Sequence, residues 1–478
     1  MAQTPTSTTA RVSVITLTGM VVGSMVGGGV FELPQEFGAV AGVVAALLAW
    51  LVAGLGMLSL ALVFQNLALR RPDLDSGMYV YAQEGFGNYS GFNAAFGYWA
   101  SNIAGNVFYM VLTMTTLGQF FPGLGKGDTV LAVVVASAGV WLFHVLISRG
   151  VREAVAINRI VTAAKLIPLA LFIVIALVSF DPSTFVDNLW GGDTHDLGTV
   201  WHEMTQTLLV TTFVFLGVEG ASVYSRLASR REDIGRATVG GFLTVLAIFS
   251  AVTMVSYGVL PRADLADTSQ PSIGGVLASI VGDWGSTFIA VGVVLSIQGA
   301  YLAWTLICAE TTYMPARSGV MPRFLARENA NGTPIGALLL TTLAVQLLLA
   351  AVLVVSNALD FMLKLDTALS LIPYLLAAGY ALKLGVSGAS YAAGESRTKD
   401  TAVAFTAVAY SLFLLYAAGV KYLLPAAIIY AIGTVLYVLA RRERREQIFN
   451  RAELLVCGLL VATGIAGVVT IATGTVVL

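Results

Sequence analysis

The chain has 478 residues, of which 57% are hydrophobic and only 11% charged, and its mean hydropathy is +0.83; a soluble domain carries about 25% charged residues. That balance excludes a water-soluble fold and marks an integral membrane protein. A formal net charge of -1 without a long block of like charges argues against a nucleic-acid partner, and two cysteines, Cys308 and Cys457, suit packing rather than a disulfide framework or metal cluster.

The first ten residues, MAQTPTSTTA, are polar, and the apolar run after Arg11 is too long and too rich in glycine for a cleaved signal peptide. A membrane span needs about 20 mostly apolar residues. On that template, spans fall at 12–37, 39–66, 88–121, 129–148, 155–180 and 202–224 in the first half. The second half gives 237–260, 285–313, 334–356, 358–385, 401–418 and 420–440, with an additional segment at 454–478. These twelve or thirteen segments are expected to be helices, because the bilayer leaves every backbone donor and acceptor to be satisfied within its own segment. The connections around 181–200 and 261–284 are short, so no water-soluble domain is expected.

Basic residues sort onto alternate connections. Arg70, Arg71, Arg149, Arg152, Arg226, Arg230, Arg317, Arg323, Arg397 and the run RRERREQ from Arg441 lie on the side of Arg11, whereas the opposite connections hold Lys126, Arg262 and Lys421. The positive-inside bias then makes the N-terminus cytoplasmic, and a thirteenth span would place the C-terminus outside. RRERREQ reads as an anchor at an anionic leaflet, with a regulatory site as the alternative.

Two spans carry features that an ordinary membrane helix avoids. GSMVGGGVFELP, Gly23 to Pro34, has three consecutive glycines, a glutamate and a proline. Gly23 and Gly27 alone would suit a close helix contact, but each interior glycine costs about 1 kcal/mol of helix stability relative to alanine. An unwound segment at mid-membrane is tolerated only in protein or beside a cavity. FVFLGVEGASV, Phe213 to Val223, sets Glu219 between two glycines in the sixth span. An intramembrane carboxylate is a functional candidate by default. Broken first and sixth spans begin two successive five-span blocks, the pattern of an inverted-repeat transporter with its site at the midplane.

These stretches, with RPDLDSGMYVYAQEGFG, YWASNIAGN, LAWTLICAE and LIPYL, resemble the amino acid, polyamine and organocation (APC) transporters over roughly Val12 to Ala440. The resemblance is greatest to the basic amino acid/polyamine antiporter branch, particularly its arginine/ornithine type. It implies an all-α membrane protein with a five-plus-five inverted repeat and broken helices 1 and 6. The ten-helix transport core would occupy 12–385, after a tail at 1–11; helices 11 and 12 fall in 386–440, and 441–478 is a basic linker with an added span.

The resemblance also implies roles for matching positions. The amides of Gly28 and Gly29 would meet a substrate carboxylate, since free amides at the positive end of a half-helix bind anions. Family members often have serine where Gly28 stands, so a hydroxyl contact is missing. The carbonyls of Met25, Phe213 and Leu216 would accept the α-ammonium group. Asn106, Trp304 and Asp366 would recognise the side chain, Trp304 by cation-π contact; an interfacial belt position is the competing reading of that tryptophan. Asp366 replaces a small polar residue and favours a cationic distal group, unless Lys364 beside it marks a place nearer the outer mouth. Tyr98, Phe213, Glu219 and Tyr374 match gating positions, and Phe213 replaces a tryptophan. Glu219 is also a candidate proton-sensitive group, with a structural anchor for the broken helix as the alternative. Lys165 in the fifth span matches a lysine that stands in for sodium, unless it snorkels to the inner face. Glu32 is expected at the external mouth as an attractor for cations.

His144, His195 and the pair His202-Glu203 lack ligand partners at useful spacing, so neither a metal nor a cofactor is expected. The implied protein is not an enzyme but a secondary antiporter of the plasma (inner) membrane. Its partners would be cationic amino acids and amines, the lipid bilayer and, as a candidate, a second copy of the chain. Arginine for ornithine is the first expectation; arginine/agmatine, lysine/cadaverine and histidine/histamine exchange stay open, with a non-transporting receptor or accessory subunit as the rival class.

Overall fold

The computed structural model describes residues 13–74, 77–150, 154–192, 196–219 and 231–476. The expected tail at 1–11, residues 220–224 of the sixth segment and His195 lie outside the described residues. Every described element is a helix.

The first span is two pieces. Helix α1 (Val14–Met25) ends at the glycines, a short 3-10 turn covers Gly29–Glu32, and α2 (Leu33–Val40) completes the span, with a bend of 52° between the halves. Pro34 sits in the first turn of α2, where a helix has no use for the missing N–H. The chain returns in α3 (Val43–Arg70), and the short α4 (Met78–Phe86) lies on the basic side between Gly77 and Gly87, both at positive φ. Helix α5 (Asn88–Gly118) is buried along nearly its whole length. Its polar Asn93, Ser101, Asn102, Asn106 and Thr113 are all enclosed, which is why it is less apolar than a lipid-facing span.

Helices α6 (Val130–Ser148) and α7 (Ala154–Val178) complete the first block. The stretch expected as a simple loop at 181–200 instead holds α8 (Pro182–Asp187) and the start of α9 (Leu197–Phe213). Asp181 and Asp196 explain this, because each accepts backbone amides at a helix start. The hydroxyl and amide of Ser183 hold the exposed Asp181 carboxyl down at about 2.

The second block continues through α10 (Arg231–Tyr257), α11 (Arg262–Ala266), α12 (Ser272–Val281), α13 (Asp283–Ser318), α14 (Ile335–Ala351) and α15 (Ala358–Ser387). The short α4 follows the second span on the basic side, and the α11–α12 hairpin follows the seventh on the opposite side. Excursions on opposite sides after the second and seventh spans suit an inverted repeat. Helix α5 packs on α13 and α15, α1 on α10, and α3 on α9.

The expected spans at 401–418 and 420–440 are two helices that meet at Gly419, where φ is 61°, and are together called α16 (Thr398–Arg444). That conformation favours glycine. The thirteenth segment is α17 (Arg451–Ala472), packed on α16, with Leu454, Leu455, Leu459 and Ile465 exposed toward lipid.

Glu453 ties α17 to the bundle. One of its carboxylate oxygens accepts the Asn450 amide at 2.9 Å, and the other accepts the Tyr89 amide at the start of α5 at 3.0 Å. The Asn450 side chain accepts the Glu453 amide in return, forming a capping box. Glu453→Ala leaves amide donors at two helix starts without their acceptor and should destabilise the protein by about 1–3 kcal/mol. An unchanged unfolding midpoint in detergent would show that α17 is held by its apolar face alone.

Candidate functional site

The break in the first span leaves backbone groups free. Among the described residues, the amides of Gly27, Gly28 and Gly29 and the carbonyls of Gly23, Ser24 and Met25 make no hydrogen bond. The glycines are required sterically as well. A Cβ on Gly29 would lie 2.6 Å from the Phe213 ring, and one on Gly27 would lie 2.9 Å from the Tyr109 hydroxyl. Gly28 is turned toward Leu112, Phe108 and Tyr109 of α5, with 3.2 to 3.3 Å available.

The second break faces the first. Helix α9 stops at Phe213 and continues as turns through Glu219, with Gly217 at φ 101°. A Cβ on Gly217 would meet the Ser24 carbonyl at 2.8 Å and the Trp304 ring at 3.4 Å. The Ser24 hydroxyl donates to Val21 O and reaches Gly217 O at 3.4 Å. The Phe213 carbonyl accepts the Leu216 amide at 3.0 Å, which leaves its second lone pair for a ligand.

Between the breaks lies a narrow cavity, with about 420 Å³ of space not filled by atoms when the part that opens to solvent is counted. The first span contributes Ser24, Met25, Gly27, Gly29 and Val30; α9 and its turn contribute Phe213, Val214 and Leu216. Helix α5 adds Asn102, Gly105 and Tyr109, α13 adds Trp304, and α15 adds Asp366. Asp366 is the one charged side chain in this lining. It is 5% exposed, accepts the Ser101 hydroxyl and rests on Gly105, where a Cβ would come within 2.4 Å of the carboxylate. The small residues Ser101 and Gly105, one turn apart on α5, thus hold the carboxylate in place.

Glu219 organises one end of the cavity. Its Oε1 accepts the Tyr98 hydroxyl at 2.5 Å, and its Oε2 accepts the Tyr374 hydroxyl at 2.8 Å and the Gly217 amide at 3.1 Å. Tyr98 precedes the cavity-lining residues of α5 and Tyr374 follows Asp366 on α15, so this cluster lies on the basic side of the cavity. Phe213 is at the other end, edge-on to Phe108 at 5.0 Å and against Gly29.

Of the residues singled out from the sequence, Met25, Gly29, Phe213, Leu216, Trp304 and Asp366 line one cavity, and Tyr98, Glu219 and Tyr374 join by hydrogen bonds. Gly28 and Asn106 do not line it. Asn106 is fully buried and turns toward α13, where its amide nitrogen meets Thr305 at 3.5 Å and Cys308 at 3.7 Å. Asn102, a turn earlier, lines the cavity instead, and Tyr109 was also passed over. A polar or aromatic residue at helical spacing is the only signal that pointed to either. Lys165 is buried on α7 without a partner among the described residues, away from the cavity lining. Glu32 is not at an exposed mouth: it is 0% exposed. The 3-10 turn directs it into the bundle, and the α11–α12 hairpin covers this turn through Ser272, whose hydroxyl donates to Phe31 O.

A sequence profile for the family described as amino acid permease matches residues 12–440. An arginine/ornithine antiporter of Pseudomonas aeruginosa is 47% identical over 452 residues, covering 93% of this chain and 94% of the relative. An L-lysine transport protein of Corynebacterium glutamicum is 37% identical, covering 99% of this chain and 97% of its own length. An arginine/agmatine antiporter of Chlamydia caviae is 38% identical, with 91% of each chain covered.

Because Tyr98 and Tyr374 donate to one carboxylate, Tyr98→Phe and Tyr374→Phe should not act independently. A double-mutant cycle on unfolding free energy is expected to give a coupling of about 0.5–3 kcal/mol. Strict additivity would mean that the two hydroxyls do not share Glu219.

Proposed function

The chain belongs to the amino acid permease family of the APC superfamily, and from that membership and the chemistry of the cavity we propose that it is a cationic amino acid antiporter, exchanging arginine for ornithine. The observation that carries the reading is the pairing of free backbone groups with one buried carboxylate in a single cavity. An α-amino acid needs donors for its carboxylate and acceptors for its ammonium. The unwound first span supplies both from the backbone, without a cationic side chain that would repel a cationic substrate.

The distal group falls to Asp366 and Trp304. A guanidinium or ammonium can pair with the carboxylate and lie against the indole, a contact worth about 2 kcal/mol when desolvated. Tyr109 and Phe213 enclose the aliphatic stem. A neutral side chain would leave the buried Asp366 charge unpaired, which is strongly unfavourable. The same charge on arginine and ornithine makes a one-for-one exchange electroneutral, so the swap needs no net proton or ATP.

Alternating access follows from the two breaks. Tyr98, Glu219 and Tyr374 close the cavity on the basic side, and Phe213 covers it on the other. Release to the basic side requires the Glu219 hydrogen bonds to part; entry from the opposite side requires Phe213 to move. The distribution of arginines and lysines supports an inside N-terminus, and family membership supports the plasma membrane. Lys165 keeps the role that the family resemblance implies, a fixed cation in place of sodium, rather than substrate contact.

The lysine transport protein among the relatives supports lysine as a second substrate. Counterflow in proteoliposomes separates the readings. With ornithine inside, external labelled arginine should accumulate, and lysine, agmatine, cadaverine and histidine should compete less well. No arginine entry against ornithine would overturn the proposed pair.

Trp304→Leu and Asp366→Asn should each raise the half-saturating concentration of arginine by tenfold or more, as about 1.4 kcal/mol per tenfold implies. Binding of neutral amino acids should change little in Trp304→Leu and should strengthen in Asp366→Asn, where no charge is left unpaired. Equal losses for cationic and neutral ligands would remove these residues from side-chain recognition.

A further inference from the structure

Immediately outward of the cavity, α2 and α15 bring together Glu32, Glu36, Asp360 and Lys364. Glu32 lies two residues beyond the cavity-lining Val30, and Lys364 lies two residues before Asp366, so the cluster roofs the site. Lys364 forms an ion pair with Asp360 and stands 3.8 Å from Glu36. Glu32 is left over: it is 0% exposed, and both of its carboxylate oxygens lack a hydrogen-bond partner among the described residues.

The other charged groups around these helices are occupied elsewhere. Tyr422 of α16 interacts with Asp360 and Lys364, and Lys421 lies over its ring. Arg262 of α11 donates to Gly38 O at the far end of α2. Glu203 of α9 accepts the Gly42 amide. With every group ionised, three carboxylates against one ammonium leave the cluster two negative charges in excess, and of these groups Glu32 alone is fully buried. A buried, unpaired carboxylate costs several kcal/mol even after relaxation, and such a group neutralises instead. A proton on one carboxylate is the smallest change that lowers this excess.

We propose that the Glu32, Glu36, Asp360 and Lys364 cluster is a proton-binding site on the outer roof of the cavity, in which Glu32 takes a proton from external water as α2 and α15 close and returns it as they part. The proton binds at a Glu32 carboxylate oxygen, so the closed roof is neutral at that residue and the open roof exposes an ionised one. Because the same proton leaves by the side from which it came, it adjusts the rate of exchange without being carried across. This last consequence rests on the antiport reading above; the protonation itself does not.

Infrared spectroscopy of the full chain in lipid nanodiscs at neutral pH reads the proton directly. The wild type should show a carboxylic-acid C=O band that Glu32→Gln lacks, and Lys364→Gln should strengthen the acid band, since removing the ammonium leaves more negative charge to neutralise. Identical wild-type and Glu32→Gln spectra would overturn the proposal whatever the transport result. In ornithine-loaded proteoliposomes with internal pH fixed, shifting external pH from mildly acidic to mildly alkaline should change wild-type arginine entry several-fold and leave Glu32→Gln flat. The same pH response in both, or a flat wild type, would overturn the link to roof closure. Failure of exchange at every pH would count against the antiport reading and leave the infrared result standing.

Discussion

A backbone group that leaves its helix inside a membrane must find another partner or line a cavity, and the architecture follows from meeting that constraint twice at one place. The first span opens at Gly27–Gly29 and the sixth at Gly217, and the two openings touch through Ser24. Neither break would be tolerable against lipid. Together they enclose a polar space whose donors and acceptors come from the main chain, while α5, α13 and α15 supply its walls. Burial of α5 along almost its full length is part of the same solution, since its asparagines, serine and threonines need protein on every side.

The two cavity-side carboxylates divide the work by their surroundings. Glu219 accepts two tyrosine hydroxyls and a backbone amide, so its capacity is largely filled from three elements that must separate for the basic side to open. Asp366 has one hydroxyl partner and a glycine floor, which leaves room for a ligand. A pinned carboxylate suits a closure and an under-filled one suits a binding group. This contrast depends on side-chain packing rather than residue type, and charge alone would not have told the two apart.

The parts of the fold set by backbone chemistry were legible in the sequence. Glycine triplets, Pro34 and Glu219 between glycines marked the breaks, and hydropathy marked the spans, including the division at Gly419. Family resemblance, rather than spacing, suggested Trp304, Tyr98 and Tyr374. What stayed hidden was facing. Asn102 and Asn106 are one turn apart on a helix enclosed on all sides, so periodicity has no polar face by which to choose between them, and the resemblance chose the one that turns toward Thr305. Glu32 was misread for a related reason. A glutamate near a span's outer end usually points to water, but the 3-10 turn that follows the glycines rotates it inward beneath the α11–α12 hairpin.

That rotation gives the break a second role. A continuous α-helix through Gly27–Gly29 would turn Glu32 by 100° per residue from its predecessors; the unwound segment resets this phase, and the 3-10 turn and α2 carry Glu32 and Glu36 beside Asp360 and Lys364. The same glycines that free amides and carbonyls for a ligand therefore also determine which groups of α2 meet α15 above it. On the proposed reading, binding below and closure above are coupled, because an outward swing of α2 would separate Glu36 from Lys364. An exchanger of two equally charged amino acids has no net charge movement to set its direction, so control must act on the rate at which its roof opens. A cluster with more carboxylates than ammonium groups, placed across that moving contact, is where such control is chemically available.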